Sequence, residues 1–514
     1  MPVSQVVSLI AMLNNLYEFL VQQNCRSYVV GGFIRDWLLG KQTNDVDIAV
    51  EGNALNVAEE VAKNFGGKFV LLDEANSIAR VVMGEEQLKG ARDKEKGGPP
   101  LNPPYLARDV WYFDFSSFSN NIESDLARRD FTIDAMAVEL GQLKENCQLK
   151  PIDPFCGGKD LENRIIRAVS EQIFASDAVR LLRAVRLAAE FDFTIEPNTE
   201  SLIRRYSQSV TIVAGERVRE ELLRLLNLPR AAHYLHYLDK LDLLVTLVPE
   251  LAQTKGVEQP VAHFWDVFEH SLQTVAATEF LIRQNTWEYG NEEILATVPW
   301  SNAIEQHLSQ DVSGGSNHKS LLKLGGLLHD IAKPKTKFLD DTGRARFLGH
   351  TKEGAEMTAT ILERLRFSRS EIDLVESLVY HHLRPAQMTN EGLPTQRAIY
   401  RYFRDTGDVG IDILFLALAD YLASRGPLVH MDTWRKICQL VNYILTEQEK
   451  QKDRVTPPKL VDGHDLMNSF GLTPGPLIGK LLATVHEAQA SGEITTREEA
   501  LALVQRELSA KQSL

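Results

Sequence analysis

The chain has 514 residues, 44% of them hydrophobic and 25% charged, which is too long for one ordinary domain and supplies enough apolar mass for three or four. A formal net charge of -14 and a pI near 5.5 exclude a global positive field, so any polyanionic partner must meet a local basic groove. The four cysteines, Cys25, Cys147, Cys156 and Cys438, are scattered without C-x-x-C spacing, which argues against a disulfide framework or zinc knuckle and fits a reducing compartment.

The first segment, "MPVSQVVSLIAMLNNLYEFLVQQN", has polar residues at helical spacing and no basic leader, so it reads as an amphipathic helix rather than a signal peptide. No run approaches the ~20 apolar residues of a membrane span, and a cytoplasmic protein with no membrane partner is expected. Up to about residue 150, short β-like runs alternate with helix: "SYVV", "VDIAV", "KFVLL", "IARVVM", "VWYFDF" and "IDAMAV". This predicts an α/β unit over residues 1–150 built on a small mixed sheet, interrupted by a Lys-, Gly- and Pro-rich insertion at 85–108. From Asp160 onward apolar residues fall at i, i+3, i+4, so the rest is predicted helical, divided at 151–255, 256–450 and 451–514. "SQDVSGGSNHKS" and "QKDRVTPPKL" read as loops.

Within "VVGGFIRDWLLGKQTNDVDIAV", Asp45 and Asp47 stand two apart on a predicted strand and therefore point to one face. Two carboxylates that close repel each other unless a cation lies between them. Just upstream, Gly31-Gly32 opens a helix carrying Arg35, which offers backbone N–H groups and a guanidinium to a triphosphate. Phosphates beside paired carboxylates imply Mg²⁺ and a two-metal in-line attack on an α-phosphate.

G-G-x-x-R-D followed by D-x-D resembles the head-domain signature of tRNA nucleotidyltransferases and bacterial poly(A) polymerases of the same class. "DLARRDFTIDAMAV" is similar to that family's R-R-D-F-T-x-N-A-x-A, and the resemblance assigns Arg128, Arg129 and Asp130 to the triphosphate and ribose. Asp134 stands where the family usually has Asn, replacing a group that donates and accepts by one that only accepts. "DPFCGGKDLENRIIRAV" resembles the segment joining head to neck. Here Gly157 and Gly158 are expected to permit a tight turn and Asp160 to cap the following helix.

In "SDAVRLLRAVRLAAEF", Asp177, Arg180, Arg183 and Arg186 fall at i+3 steps on one predicted helical stripe among apolar residues, which suggests a cleft wall. Asp177 can accept from the exocyclic amine of cytosine or adenine while Arg180 donates to the ring, so the pair can read CTP or ATP without a template. The family's template motif is E-D-x-x-R, with Ser176 here in place of its glutamate. Asp114, in "VWYFDFSSF" on a neighbouring predicted strand, is a candidate third metal-site carboxylate.

A second constellation follows on a helical background: "FWDVFEHSLQTV", "GGLLHDIAKPKTK", "LGHTKEGAEM", "VYHHLRP" and "LALADYLASR". Imidazoles and carboxylates gathered from different helices suit a divalent site that activates water. The set resembles the HD phosphohydrolase superfamily, and the resemblance gives His270, His329, Asp330 and Asp420 to a first transition metal. It leaves His350 and His381 or His382 for a second metal or phosphate. Phosphodiesterase or phosphatase activity is the expectation; a relic that only packs against the body is the alternative.

Arg204, Arg205, Arg217, Arg219 and Arg224 are candidate linings of a groove for the tRNA 3′ end, although interspersed glutamates also fit a plain solvated helix. The function implied is template-independent addition of nucleotides to a tRNA 3′ end from CTP and ATP, with no protein partner evident. Full CCA-adding relatives carry a longer charged segment before R-R-D than "FDFSSFSNNIESDLARRD" provides, so CC addition is preferred, then full CCA addition, then poly(A) synthesis. From another class, the chain would be mainly an HD phosphohydrolase acting on RNA ends or nucleotides.

Overall fold

The computed structural model describes residues 3–41, 43–84, 110–143, 150–260, 263–388, 392–452, 459–490 and 492–512. The expected insertion at 85–108, Cys147 and most of the expected loop at 451–460 lie outside them. The chain divides into two compact units, Met1–Val213 and Ala214–Leu514.

The first unit is built on six strands: β1 (Ser27–Val30), β2 (Asp45–Glu51), β3 (Lys68–Asp73), β4 (Ile78–Gly84), β5 (Val110–Phe118) and β6 (Ala137–Glu139). Their order is β3-β4-β5-β2-β1-β6, antiparallel throughout except for the central β2–β5 pair, which is parallel. The expected strand "IDAMAV" is shorter than predicted: Thr132–Asp134 forms a 3₁₀ turn and pairing begins only at Ala137.

Period-two alternation gives the sheet two different faces. Val46, Ile48 and Val50 of β2 and Trp111, Phe113 and Phe115 of β5 pack into one large core with the helices Val3–Gln22 and Ala54–Phe65. The first of those helices supplies Leu9, Met12, Leu13, Leu16 and Leu20, the i, i+3, i+4 pattern read from sequence. Asn53 caps the second by accepting from the N–H groups of Leu55 and Asn56, and Gly66 ends it at φ 75°. The other sheet face carries a small cluster of Val30, Ala49, Phe118, Ile122, Leu126, Ala135 and Ala137, and it is here that the strand acids emerge.

After the sheet the chain is helical. Gly157 is needed because a Cβ there would lie 2.0 Å from the Thr132 carbonyl oxygen; the positive φ of this turn belongs to Cys156, at 57°. The expectation of a glycine turn capped by Asp160 is corrected accordingly. Asp153 accepts from the Gly157 and Gly158 N–H groups, while Asp160 sits inside the helix Gly157–Glu162 and takes the Thr132 hydroxyl at 2.7 Å and Arg167 at 2.9 Å.

In the second unit the helices Val267–Leu281, His318–Leu328, Arg369–His381 and Val409–Arg425 pack on one another, with His350–Arg364 laid against Arg369–His381. "SQDVSGGSNHKS", expected as a loop, contains the short hairpin Asp311–Ser313/Ser316–Asn317, and Asn317 then caps the next helix in a reciprocal capping box with Ser320. Val461, Leu466, Ile478, Leu481, Val485 and Val504 form a separate C-terminal core. No helix among the described residues is long and apolar enough to cross a membrane.

Candidate functional site

Asp47 and Asp114 are register partners in the parallel β2–β5 pair, so both carboxylates project from the same sheet face side by side. Asp45 stands two residues earlier on that face, exposed, while Val46 between them is fully buried. Burial pushes Asp47 up to about 6; the Asp114 carboxylate adds to the rise, while Arg129 and Arg183 pull against it. A carboxylate held that high beside a second acid is short of positive charge, the condition a divalent cation would relieve. The donor set therefore fits a metal.

Asp114 has a partner that its sequence gave no sign of. Arg80 on β4 faces it across the ladder and grips both oxygens, Nε to Oδ1 at 2.7 Å and Nη2 to Oδ2 at 2.8 Å, with its guanidinium 4.9 Å from the Tyr112 ring centre. Register alone brings Arg80 there, and register is not legible in one sequence.

β1 runs into Gly31, whose φ of 71° suits glycine and whose absent Cβ leaves room for two neighbours. A methyl there would sit 2.6 Å from Arg129 Nη1 and 3.1 Å from Asp47 Oδ2. The R-R-D motif is thereby laid over the acidic strand. Gly31 N–H donates to the Met136 carbonyl at 3.2 Å, so it is not one of the open donors expected from sequence.

Arg35 needs a second correction. Its side chain is buried, paired with Asp134 at 2.6 Å and Asp36 at 2.9 Å, and stacked 4.4 Å from the Phe191 ring centre. Burial disfavours its charge, but Asp134 and Asp36 outweigh that and hold it more firmly protonated than usual. A guanidinium enclosed in this way ties its own short helix, Gly32–Leu38, to Asp134 instead of standing open to a phosphate. Asp134, the departure from the family motif, is the other half of that pair.

Arg128 and Arg129 both bond Asp125, at 3.0 and 3.3 Å; Arg128 is largely exposed and Arg129 is half-buried. Asp125 was identifiable at i−3 and i−4 of the two arginines. Asp130 is buried, and Arg183 and Arg180 overcome its burial to keep it below the ordinary aspartate range; Arg183 Nε lies 3.0 Å from Oδ2.

The predicted continuous stripe breaks at its first member. Asp177 is extended (φ −156°, ψ 101°), closing the helix Gln172–Ser176, and its Oδ1 accepts from the Val179 N–H at 3.3 Å; the next helix, Arg180–Phe191, starts after it. An aspartate caps a helix better than it sits within one. Arg180 bonds the Arg128 carbonyl at 3.1 Å and the Ser176 hydroxyl at 3.4 Å, so serine at the glutamate position still touches the arginine. Arg186 leaves the group: it is buried and paired with Glu190 on its own helix.

The candidate RNA arginines fall in both units, Arg204 and Arg205 in the first and Arg217, Arg219 and Arg224 in the second. Arg204, Arg205 and Arg224 are exposed and each pairs with a glutamate: Glu200, Glu171 and Glu220. Arg217 has interactions of its own. Arg219 is a brace rather than a surface group: it clamps the fully buried Glu371 at 2.8 and 3.1 Å.

In the second unit the expected histidines and aspartates converge. His270 Nε2 lies 3.1 Å from Asp420 Oδ1 and 3.5 Å from Asp330 Oδ2, while His329 Nε2 lies 3.2 Å from Asp330 Oδ2. His350 and His382 approach Asp330 Oδ1 at 3.5 and 3.9 Å. Nδ1 of His329, His350 and His382 sits 2.9, 2.7 and 2.7 Å from the carbonyls of Gly326, Phe347 and Val379, which fixes the tautomer and turns Nε2 inward. His350 Nε2 is buried without a hydrogen-bond partner, an orphan that a metal or phosphate would satisfy. Of the two neighbours left open, His382 joins the group and His381 does not; His381 is half-buried against Tyr380. Burial drives His382 down to about 3, so it stays neutral and ligand-ready.

The cavity over these residues holds about 290 Å³ and adds three groups that sequence reading missed: His263, Lys333 and Arg346. Lys333 Nζ is 2.5 Å from Asp330 Oδ2, at the i+3 position where the spacing H-D-x-x-K could have revealed it.

Family models match four successive stretches: "Poly A polymerase head domain" over residues 27–167, "Probable RNA and SrmB- binding site of polymerase A" over 192–254, "HD domain" over 267–425 and a tRNA nucleotidyltransferase domain 2 over 432–504. An A-adding tRNA nucleotidyltransferase of Deinococcus radiodurans is 33% identical over 93% of this chain and 94% of its own. A CC-adding tRNA nucleotidyltransferase of Thermus thermophilus is 31% identical over 93% of each. The fold matches that of a CCA-adding enzyme solved with ATP, at TM-score 0.61 and 22% identity over 98% of this chain and 94% of that one. The acid-bearing sheet, the R-R-D segment laid over it and the full-length likeness agree: the chain belongs to the tRNA nucleotidyltransferase family, with an HD domain in its second unit.

Proposed function

We propose that the first unit transfers cytidylyl residues to the 3′ end of tRNA, CC addition, and that the second unit is a metal-dependent phosphohydrolase. The observation that carries the first reading is the register pairing of Asp47 with Asp114 beneath Gly31 and Arg129.

Asp45, Asp47 and Asp114 would hold Mg²⁺, which when bound supplies charge neutralisation at the α-phosphate and a more acidic 3′ hydroxyl. Arg128 and Arg129 bind the triphosphate, and Asp130, kept ionised by Arg183 and Arg180, accepts from the ribose. Asp177 and Arg180 face the base edge; cytosine and adenine both present an amino group beside a ring acceptor, so either nucleotide is readable there. Arg35 supports from below, by fixing the helix that follows Gly31-Gly32.

Preference for CC rests on the short route from β5 to R-R-D: residues 119–127 contain the capped helix Ile122–Leu126 and no long charged segment. The A-adding Deinococcus relative supports a second reading, addition of the terminal A alone. The test uses purified protein, CTP or ATP separately, and tRNA ending before the first C or after the second C, with sequencing of the ends. CTP incorporation on the first substrate with no ATP incorporation on the second supports CC addition. Both incorporations together overturn it in favour of full CCA addition, ATP incorporation on the second alone overturns it in favour of A addition, and long A tracts on any RNA overturn all three.

For the second unit, His270, His329, Asp330 and Asp420 would hold a divalent transition metal, which supplies an activated water when bound. His350, His382, Lys333 and Arg346 face a phosphate. A cytoplasmic location fits both activities, since tRNA maturation and reduced cysteines belong there.

A further inference from the structure

Buried acids of the second unit generally have a permanently charged partner. Glu279 has Lys323 at 3.1 Å, Glu371 has Arg219 at 2.8 Å and Asp330 has Lys333 at 2.5 Å. Asp412 differs. It is fully buried, and the side chains that set its charge are two imidazoles, His307 and His318.

His307 Nε2 lies 2.7 Å from Asp412 Oδ2, and His318 Nδ1 lies 3.1 Å from both carboxylate oxygens, so it favours neither lone-pair direction. The two rings are 4.3 Å apart. The three residues come from separate segments: the end of the helix Asn302–Leu308, the first residue of His318–Leu328 and the first turn of Val409–Arg425. Three His/Asp groups among the described residues bring donor atoms this close; two of them belong to the HD pocket, and this is the third.

Against its burial, hydrogen bonds from both imidazoles hold the Asp412 carboxylate ionised, so the cluster keeps a buried negative charge unless an imidazole takes up a proton. Against the burial of His318, Asp412 and Asp408 favour that proton there, holding this imidazole above its ordinary value. The proton would neutralise the buried charge, and so would a metal. The nitrogen–oxygen spacings of 2.7–3.1 Å are those of hydrogen bonds; a tetrahedral ion with bonds of about 2.0–2.2 Å sets its ligand atoms about 3.3–3.6 Å apart, so the three side chains would part by about half an ångström to admit one.

We propose that His307, His318 and Asp412 form a further divalent-metal site in the second unit, for Zn²⁺ or an ion of like preference, distinct from the HD pocket. Two nitrogens and one oxygen as donors favour such an ion over Mg²⁺. Each imidazole keeps about a tenth of its surface exposed, which leaves a way in and a fourth position for water.

The site fastens the starts of two helices whose later residues build the HD pocket. His318–Leu328 ends at His329-Asp330, and Val409–Arg425 carries Asp420 eight residues beyond Asp412, about 12 Å along the axis. The ion would set the spacing of those helices without touching the reacting phosphate.

The experiment is metal counting on the full chain, stripped with chelator, dialysed against Zn²⁺ and measured by plasma mass spectrometry. Wild type should hold one Zn²⁺ more than Asp412→Asn, and His329→Ala/Asp330→Ala should still bind one that His318→Gln, added to it, removes. Co²⁺ in the HD-pocket variant should give tetrahedral visible absorption that is lost in His307→Gln. Equal metal content in wild type, D412N and H307Q, each with native circular dichroism, would overturn the proposal and leave the cluster holding a proton. If D412N fails to fold, the H307Q count decides.

Discussion

At Gly31 a single missing methyl joins two motifs that sequence shows only as separate strings. Gly31→Ala forces a side chain to φ 71° and into Arg129; a backbone cost of about 1–2 kcal/mol is expected, and displacement of Arg129 should lower the incorporation rate far more than it lowers the melting temperature. Asp47→Asn should reduce incorporation roughly 10³-fold, equivalent to about 4 kcal/mol of lost transition-state stabilisation, measured by single-turnover CTP addition. Because Asp47 sits up at about 6 without a cation, protons and metal compete for it. Its deprotonated form dominates above that value, so the Mg²⁺ concentration for half-maximal rate should be flat above about pH 7 and rise as pH falls from there to about 5.5. A profile that does not move would remove Asp47 from the metal site.

At the level of elements, the brace between Arg219 and Glu371 ties the helix Gly215–Asn227 to the capping box that starts Arg369–His381. Arg219→Ala leaves a buried carboxylate without its charged partner and should cost about 3 kcal/mol, read by urea unfolding, while tRNA affinity stays near wild type. A large affinity loss with unchanged stability would return Arg219 to the RNA groove. The same example shows what sequence could and could not say. Strands β1 to β5 were legible because alternation reports burial on two faces, and Asp45 and Asp47 could be placed on one face from spacing alone. Pairing between distant segments leaves no such local trace: the parallel β2–β5 ladder, Arg80 opposite Asp114 and Arg219 on Glu371 all depend on which elements meet. Motif arginines read as ligand groups for the same reason, since a guanidinium buried on an acid and one awaiting phosphate look alike in a string. Asp177 fell outside its predicted helix because capping competes with the i+3 pattern that suggested it.

Across the whole molecule, two candidate metal sites lie in separate compact units with different donor sets, carboxylates in the first and imidazole with carboxylate in the second. Hard oxygen donors suit Mg²⁺, and mixed nitrogen and oxygen donors suit a transition metal. Asp45→Ala/Asp47→Ala should abolish nucleotide addition and preserve hydrolysis of a phosphodiester substrate, whereas His329→Ala/Asp330→Ala should do the reverse. Loss of both activities in either variant would contradict independent sites.

The Arg35–Asp134 pair also constrains how this protein can drift. Restoring asparagine at 134 would strand a guanidinium between the Phe191 ring and Asp36 with half its neutralising charge gone. Position 35 and position 134 are thus tied to one another across 99 residues: asparagine at 134 would keep an acceptor for Arg35 but withdraw the carboxylate that lies nearest to it.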